Sequence, residues 1–295
     1  MRQLFSIVKA TALEILSEPL SLLVLLAALT LAVMAPAFHY HQFGEVTRMA
    51  RDAGFSALFT CGSVLAVFGT IRAFRREVES GTLAMALAHP VSRAGFFLAK
   101  TIGAFAAYAV FFTVVFATEM TIVEGAAIGG YIAARTGDIA RVFGPFLAGG
   151  VAMILAPLVV GAFLNRFARC RFVLSAFVVA LVLSIVALAV VAALNPPIVP
   201  RYLTAVVPLA FAAAVLLSAA AAFSARFRAN AAASATGLVF AAFVPAIGNY
   251  YLADALSNGG TVGLGYVALV AAAALPAVVA FLLLGIGFMN ERDVS

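Results

Sequence analysis

Residues 172–200 read FVLSAFVVALVLSIVALAVVAALNPPIVP and lie between Arg171 and Arg201 without one charged side chain. A helix rising 1.5 Å per residue needs about 20 residues to cross a hydrocarbon layer of about 30 Å. The run is long enough, and it is apolar on every side, so no face is left for water. Charge-free stretches of the same kind separate Arg141 from Arg166, Arg201 from Arg226, and Arg228 from Asp254. Composition agrees, with 65% hydrophobic and 10% charged residues, against about 45–50% and about 25% in soluble domains. Barrel strands would alternate between apolar and polar positions, which these runs do not, so helices are the remaining way to pair the backbone inside lipid. The chain is predicted to be an all-α polytopic membrane protein, one transmembrane domain over residues 1–295.

Eight spans are predicted, at about 20–37, 54–71, 98–122, 143–163, 172–194, 204–223, 231–252 and 265–288. Pro145, Pro157, Pro208, Pro245 and Pro276 fall inside them and mark kinks more than ends, because neighbouring helices can satisfy the carbonyls a proline frees. With the N-terminus in the cytoplasm, thirteen basic residues fall on inner segments and five on outer ones. The excess of Lys and Arg on cytoplasmic loops therefore places both termini inside. Leu20 to Met34 followed by Ala35-Pro36-Ala37 resembles a leader peptide. Glu14 and Glu18 precede it, however, where a leader would be basic, so a retained first span is expected.

Residues 2–18 have a different character. On a helical wheel Leu4, Phe5, Val8, Ala12, Ile15 and Leu16 share one side, with Arg2, Lys9, Glu14, Ser17 and Glu18 on the rest, and Ile7 and Leu13 off pattern. An amphipathic helix lying on the inner leaflet before Pro19 is predicted.

Motifs for chemistry are absent. There is no HExxH, no second glycine to make Gly137-Asp138 an intramembrane aspartyl site, and no Gly-Lys-Ser/Thr phosphate loop. Gly259-Gly260-Thr261-Val262-Gly263 lacks the lysine and reads as an outer turn. His39 and His41 flank Tyr40 at the mouth of the first span and could reach a metal with Glu45 or Asp52. As solvated loop residues they need no metal, and that is the expected reading. Cys61 and Cys170 have no ligand or disulfide spacing and are expected to be packing residues. Glu119 is the one carboxylate well inside a predicted span, where charge costs about 2.5–3.5 kcal/mol. It stands as a possible lining of a substrate path, with a solvated span end as the alternative. The 26 phenylalanines pack helices and lipid in any such protein and name no ligand.

One polar island interrupts the apolar pattern, Arg72 to Lys100, RAFRREVESGTLAMALAHPVSRAGFFLAK. It holds five of the eighteen basic residues and, set among apolar runs, is expected to be wet and cytoplasmic. Within it Thr82 to His89 starts after Gly81, stops before Pro90 and spaces Leu83 and Leu87 one helical turn apart. A helix this short is not stable alone and needs a surface to dock on; a solvated loop with no partner is the alternative, and the residues alone leave the two equally open.

The ordered set Glu77-Val78-Glu79-Ser80-Gly81-Thr82-Leu83, then His89-Pro90-Val91-Ser92-Arg93, then Lys100, resembles the segment after the second span of type-2 permease subunits of ATP-binding-cassette (ABC) transporters. The similarity extends more weakly to Glu18-Pro19-Leu20 and to the closing Asn290-Glu291-Arg292-Asp293-Val294. It covers the first ~125 residues best. The resemblance implies that Glu79 to His89 is a coupling helix seated on a separate ATPase. Glu77, or else Glu79, would be the family's acidic residue, and Gly81, Thr82, Leu83, Leu87, Pro90 and Arg93 would belong to the docking element. It also implies a homodimer or pseudo-dimer of permeases in a bacterial cytoplasmic (inner) membrane with two ATPase copies. ATP and Mg would be held by those partners, this chain would bind no cofactor, and no nucleic acid would be involved.

The expected function is that of a permease subunit, an exporter rather than an enzyme. The family's usual core has six spans, so eight is a departure. A re-entrant 172–223 would reconcile the two, but Arg169, Arg171, Arg226 and Arg228 favour two true inner loops. An ion-coupled secondary transporter would need coupling carboxylates near the midplane, which are scarce here. A membrane enzyme or an assembly scaffold fits less well, given the missing motifs and the ordered island.

Overall fold

The computed structural model describes residues 2–34, 46–79, 92–136, 139–194, 198–247 and 262–291, with side chains over 3–34, 50–76, 92–127, 148–194, 202–242 and 262–291. Every element among them is helical. In chain order they are α1 (Arg2–Leu16), α2 (Pro19–Met34), α3 (Val46–Val64), a π-helical stretch (Leu65–Gly69), α4 (Thr70–Glu79), α5 (Arg93–Thr136), α6 (Ile139–Ala168), α7 (Phe172–Leu194), α8 (Ile198–Arg226), α9 (Ala229–Ile247) and α10 (Leu264–Asn290).

The described residues of each of the eight predicted spans are helical, and 172–194 has the same bounds as α7. The helices persist through Pro157, Pro208 and Pro276. Six are long and apolar enough to cross a membrane: Ala50–Arg76, Arg93–Ala127, Ala148–Ala168, Phe172–Leu194, Tyr202–Arg226 and Leu264–Asn290. α1 and α2 join them only when taken together across a 61° bend, and α9, a helix of 19 residues, is apolar over Ala229–Ala242, the part whose side chains are described. Among the described residues the structure thus supports six spans, or seven with the bent pair. α7 and α8 each have full spanning length, which a re-entrant 172–223 would not have.

The exposed surface is the second sign of a membrane. Leu264, Leu269, Leu283, Val159, Leu194 and Leu238 are all more than three-fifths exposed. Only 11% of the Leu264–Asn290 window is buried, against 67% of Tyr202–Arg226. Apolar surface on this scale is stable only against lipid or another protein.

The chain divides into two compact units, Met1–Ile15 with Ser63–Ala109 and Thr204–Ser295, and Leu16–Gly62 with Val110–Leu203. The first has a core of Phe74, Phe96, Phe97, Ala221, Ala225 and Met289, edged by Ile7, Leu282 and Ile286. Beside it Ile71, Ala220 and Ala232 join α4, α8 and α9. Ala219 to Ala222 are fully buried, and small residues of this kind let helices approach closely where lipid supplies no hydrophobic drive. The rings of Phe223 and Phe281, and of Phe227 and Phe288, meet edge to face at 5.8 and 6.1 Å.

α1 docks in this unit by Thr11 and Ile15, both buried, with Ile7 against the core. Ile7, off the predicted apolar face, is therefore on the packed one. Leu4 and Phe5, assigned to that apolar face, are exposed.

In the second unit α6 and α7 form a hairpin. Gly161 lies against Ala176, and Ser175 Oγ donates to the Gly161 carbonyl at 3.4 Å. α2 and α6 meet where Gly150 accommodates Val33, within a core of Ala32, Val33 and Ile122. The hairpin turn closes by a bond from Cys170 N–H to Leu164 O at 3.4 Å and one from Asn165 Nδ2 to Cys170 O at 2.7 Å. Arg169 takes a left-handed φ of 55° there, the conformation that ends many helices and usually falls to glycine. Cys170 is exposed on this turn and is not the packing residue its place beside a span suggested, whereas Cys61 is buried.

Candidate functional site

Residues 80–91, and with them Gly81, Thr82, Leu83, Leu87 and Pro90, lie outside the described residues. The two helices that lead into and out of this segment are described. Glu77 and Glu79 occupy the last turns of α4, and Arg93 is the first residue of α5. α5 starts where it does because Ser92 caps it: Ser92 Oγ accepts from Gly95 N–H at 3.0 Å and its carbonyl from Phe96 N–H at 2.9 Å. A serine in this position satisfies amides that would otherwise lack partners in the first turn.

Below the segment the two flanking helices are fastened together by Lys100. This residue closes the polar island and was expected to be wet, yet it is completely buried. Its ammonium donates to the Ala73 carbonyl of α4 and stands 5.3 Å from the Phe74 ring and 5.9 Å from the Phe96 ring. An enclosed ammonium persists only with such partners, because desolvation costs several kcal/mol before they are counted. Phe74 and Phe97 pack at 5.6 Å alongside.

The base is also tied to its surroundings. Arg93 Nη1 donates to the carbonyl of Asn290 at 3.1 Å, linking the start of α5 to the end of α10. Gly285 of α10 leaves the space that the Phe97 ring fills. Gly103 brings α5 against the Val8 carbonyl and Thr11 of α1. Arg76 reaches Glu14 of α1 at 3.4 Å. The helices entering and leaving residues 80–91 thus share one packed base with α1 and α10.

Glu119 occupies the other unit. It is fully buried, so it is not a solvated span end; α5 runs on to Thr136, almost four turns past the predicted end at 122. Both carboxylate oxygens lack a hydrogen-bond partner. The side chain lies flush against Gly54 of α3, where an added Cβ would stand 2.6 Å from its Cγ and Oε1. The charges that act on it are Arg51 and Asp52. Arg51 is itself buried and pairs with Asp52 at 3.0 Å. His39, His41 and Glu45 lie outside the described residues. Among the described residues no three His, Cys, Asp or Glu side chains come together as a metal site.

Sequence reasoning assigned no role of their own to Lys100, Gly54 and Gly285. The one available signal was a lone lysine, Ala99-Lys100-Thr101, at the mouth of an apolar run.

A helical protein with six or seven apolar spans among its described residues and an exposed lipid-compatible surface is a multi-pass membrane protein. The family model of the ABC-2 family transporter protein matches residues 8–187, more than half of the chain and beyond the ~125 residues of the motif resemblance. The chain belongs to this family and is a membrane permease of an ABC transporter, a transport component whose membership implies partnership with an ABC ATPase subunit. No curated protein and no solved structure matches the chain.

Proposed function

We propose that the chain is an exporter permease driven by a separate ATPase that docks on the 72–100 segment. Glu77 or Glu79, with Gly81, Thr82, Leu83, Leu87, Pro90 and Arg93, would form the contact. The observation that carries this reading is the clamp by which Lys100 of α5 holds the Ala73 carbonyl of α4. A force applied to residues 80–91 would act on both flanking helices at once, and through Arg93 and Phe97 on α10. A loop that merely joined two spans would not need its stems fastened by a buried charge.

In this reading the chain is one transmembrane domain with both termini cytoplasmic. α2 and α9 complete eight spans, and residues 2–18 lie on the inner leaflet with Leu4 and Phe5 toward lipid. Two permeases, alike or paired as a pseudo-dimer, work with two ATPase copies that hold ATP and Mg, in a bacterial cytoplasmic membrane. Glu119 lines the substrate path.

Co-purification from native membranes tests the proposal. The permease should carry an ATPase with it; Leu83→Asp and Glu77→Ala should lose that ATPase, or its stimulation by the permease, while still inserting normally. Solute transport down an ion gradient by the purified chain without any ATPase would overturn it.

A further inference from the structure

Glu119 is a fully enclosed carboxylate with two oxygens that accept nothing, while most other buried polar groups among the described residues are satisfied. Serine and threonine hydroxyls within the helices find carbonyls, as Ser218, Ser224 and Thr236 do at 2.9, 2.6 and 2.8 Å. Lys100 has a carbonyl and two rings. Burying an ionised group without a partner is among the costliest things a protein can do. A membrane interior offers less relief still, and ionisable residues retained there mark pathways.

The side chain is also held in place. Gly54 allows the carboxylate to rest against α3, and the three atoms an added Cβ would meet first all belong to Glu119. Among the described charges acting here, Arg51 is matched by Asp52 at 3.0 Å, so that Glu119, whenever it is ionised, is the excess negative charge of the three.

A lone proton would cancel that charge but give the acid an O–H with no acceptor, so the hydrogen-bonding deficit would persist. A metal ion such as Mg or Ca would need about six oxygen ligands, and the one other carboxylate acting here among the described residues, Asp52, is already paired. An organic ammonium carries its charge with its own N–H donors and needs only one carboxylate. We propose that Glu119 is the counter-charge for a cationic amine group of the cargo. This rests on the reading of Glu119 as part of the substrate path and narrows that cargo to amphiphiles bearing a protonated amine.

The test uses the full-length permease with its co-purified ATPase in lipid-detergent micelles and two probes of nearly equal shape: aminoacridine, cationic at neutral pH, and acridine, its neutral parent. Saturable binding of aminoacridine is expected, weakened about tenfold or more in Glu119→Gln, with acridine distinguishing neither protein. Gly54→Ala should weaken aminoacridine in the same way, since it displaces only the carboxylate. Aminoacridine should raise the melting temperature of the wild-type protein and leave that of Glu119→Gln unchanged. Glu119→Gln without the probe should be no less stable than wild type, because it removes an unpaired charge.

Equal binding of aminoacridine by wild type and Glu119→Gln, or equal binding of the two probes by wild type, would overturn the proposal. With the ATPase still attached, such a result would leave the permease reading standing. Absence of the ATPase from wild-type preparations would count against the permease reading whatever the amine does.

Discussion

Replacing Gly285 by alanine puts a methyl group where the Phe97 ring now stands. The new Cβ would collide first with Cζ of the Phe97 ring and lie 2.8 and 2.9 Å from its Cε2 and Cε1, where carbon atoms normally keep about 3.5–4.0 Å. Phe97 is wholly enclosed in the core that α4, α5, α8 and α10 share, so the ring must retreat by about 1.5 Å into space already filled. Overpacking of this kind costs about 1–3 kcal/mol, and the stiffer alanine backbone returns about 0.4–1 kcal/mol. A net loss of about 1–2 kcal/mol is expected.

The decisive measurement is a double-mutant cycle with Phe97→Leu, which shortens the side chain that Gly285→Ala strikes. Denaturant titration of the four proteins in mixed micelles should show that G285A costs little in the F97L background, a favourable coupling of about 1 kcal/mol or more. If G285A costs the same in both backgrounds, the ring is not what the glycine accommodates, and the account of how α10 joins the base of the 80–91 segment fails.

The other expectations concern the same base. Lys100→Ala empties an enclosed site and should cost about 2–5 kcal/mol, as long apolar truncations do. Lys100→Met refills it and exchanges a charge-assisted hydrogen bond for relief of ammonium burial, so it should stay within about 2 kcal/mol of wild type. Both should uncouple ATP hydrolysis from transport, and equal stability losses for the two would refute the packing account. Gly103→Ala meets the Val8 carbonyl and Thr11 Cβ at 2.7 Å, so α1 should be pushed from α5 and hydrogen exchange over residues 3–16 should rise. Arg76→Ala should change stability by less than about 1 kcal/mol in the same titration, because the arginine in its pair with Glu14 is 66% exposed.

How much of this the sequence disclosed depended on distance along the chain. Spans could be read because the signal is local: Phe172–Leu194 begins after Arg171 and stops at Asn195-Pro196-Pro197, and nothing remote is needed to see it. The end of α5 was missed because Glu119 and Glu124 suggested a water boundary. The carboxylate of Glu119 is instead buried against Gly54, sixty-five positions away on another helix, where the local pattern carries no trace of it. Lys100 misled in the same direction. A lysine closing a basic stretch looks solvated, and only the Ala73 carbonyl and two phenylalanine rings, supplied by folding, make burial tolerable. The docking residues of the island were named by motif and not by any local physics, which on its own left a docked helix and a solvated loop equally open.

The π-helical stretch Leu65–Gly69 fits one more residue into its turn than an α-helix would. Each residue of an α-helix turns the chain by about 100°, so everything that follows in α4 is rotated by that amount from where an unbroken helix would put it. The Ala73 carbonyl meets Lys100 only in that shifted register. Deleting a single residue between 65 and 69 would let the helix relax to regular winding, with every side chain of α4 still present and each facing the wrong neighbour. The extra residue is thus a phase setting for the helix that leads into residues 80–91.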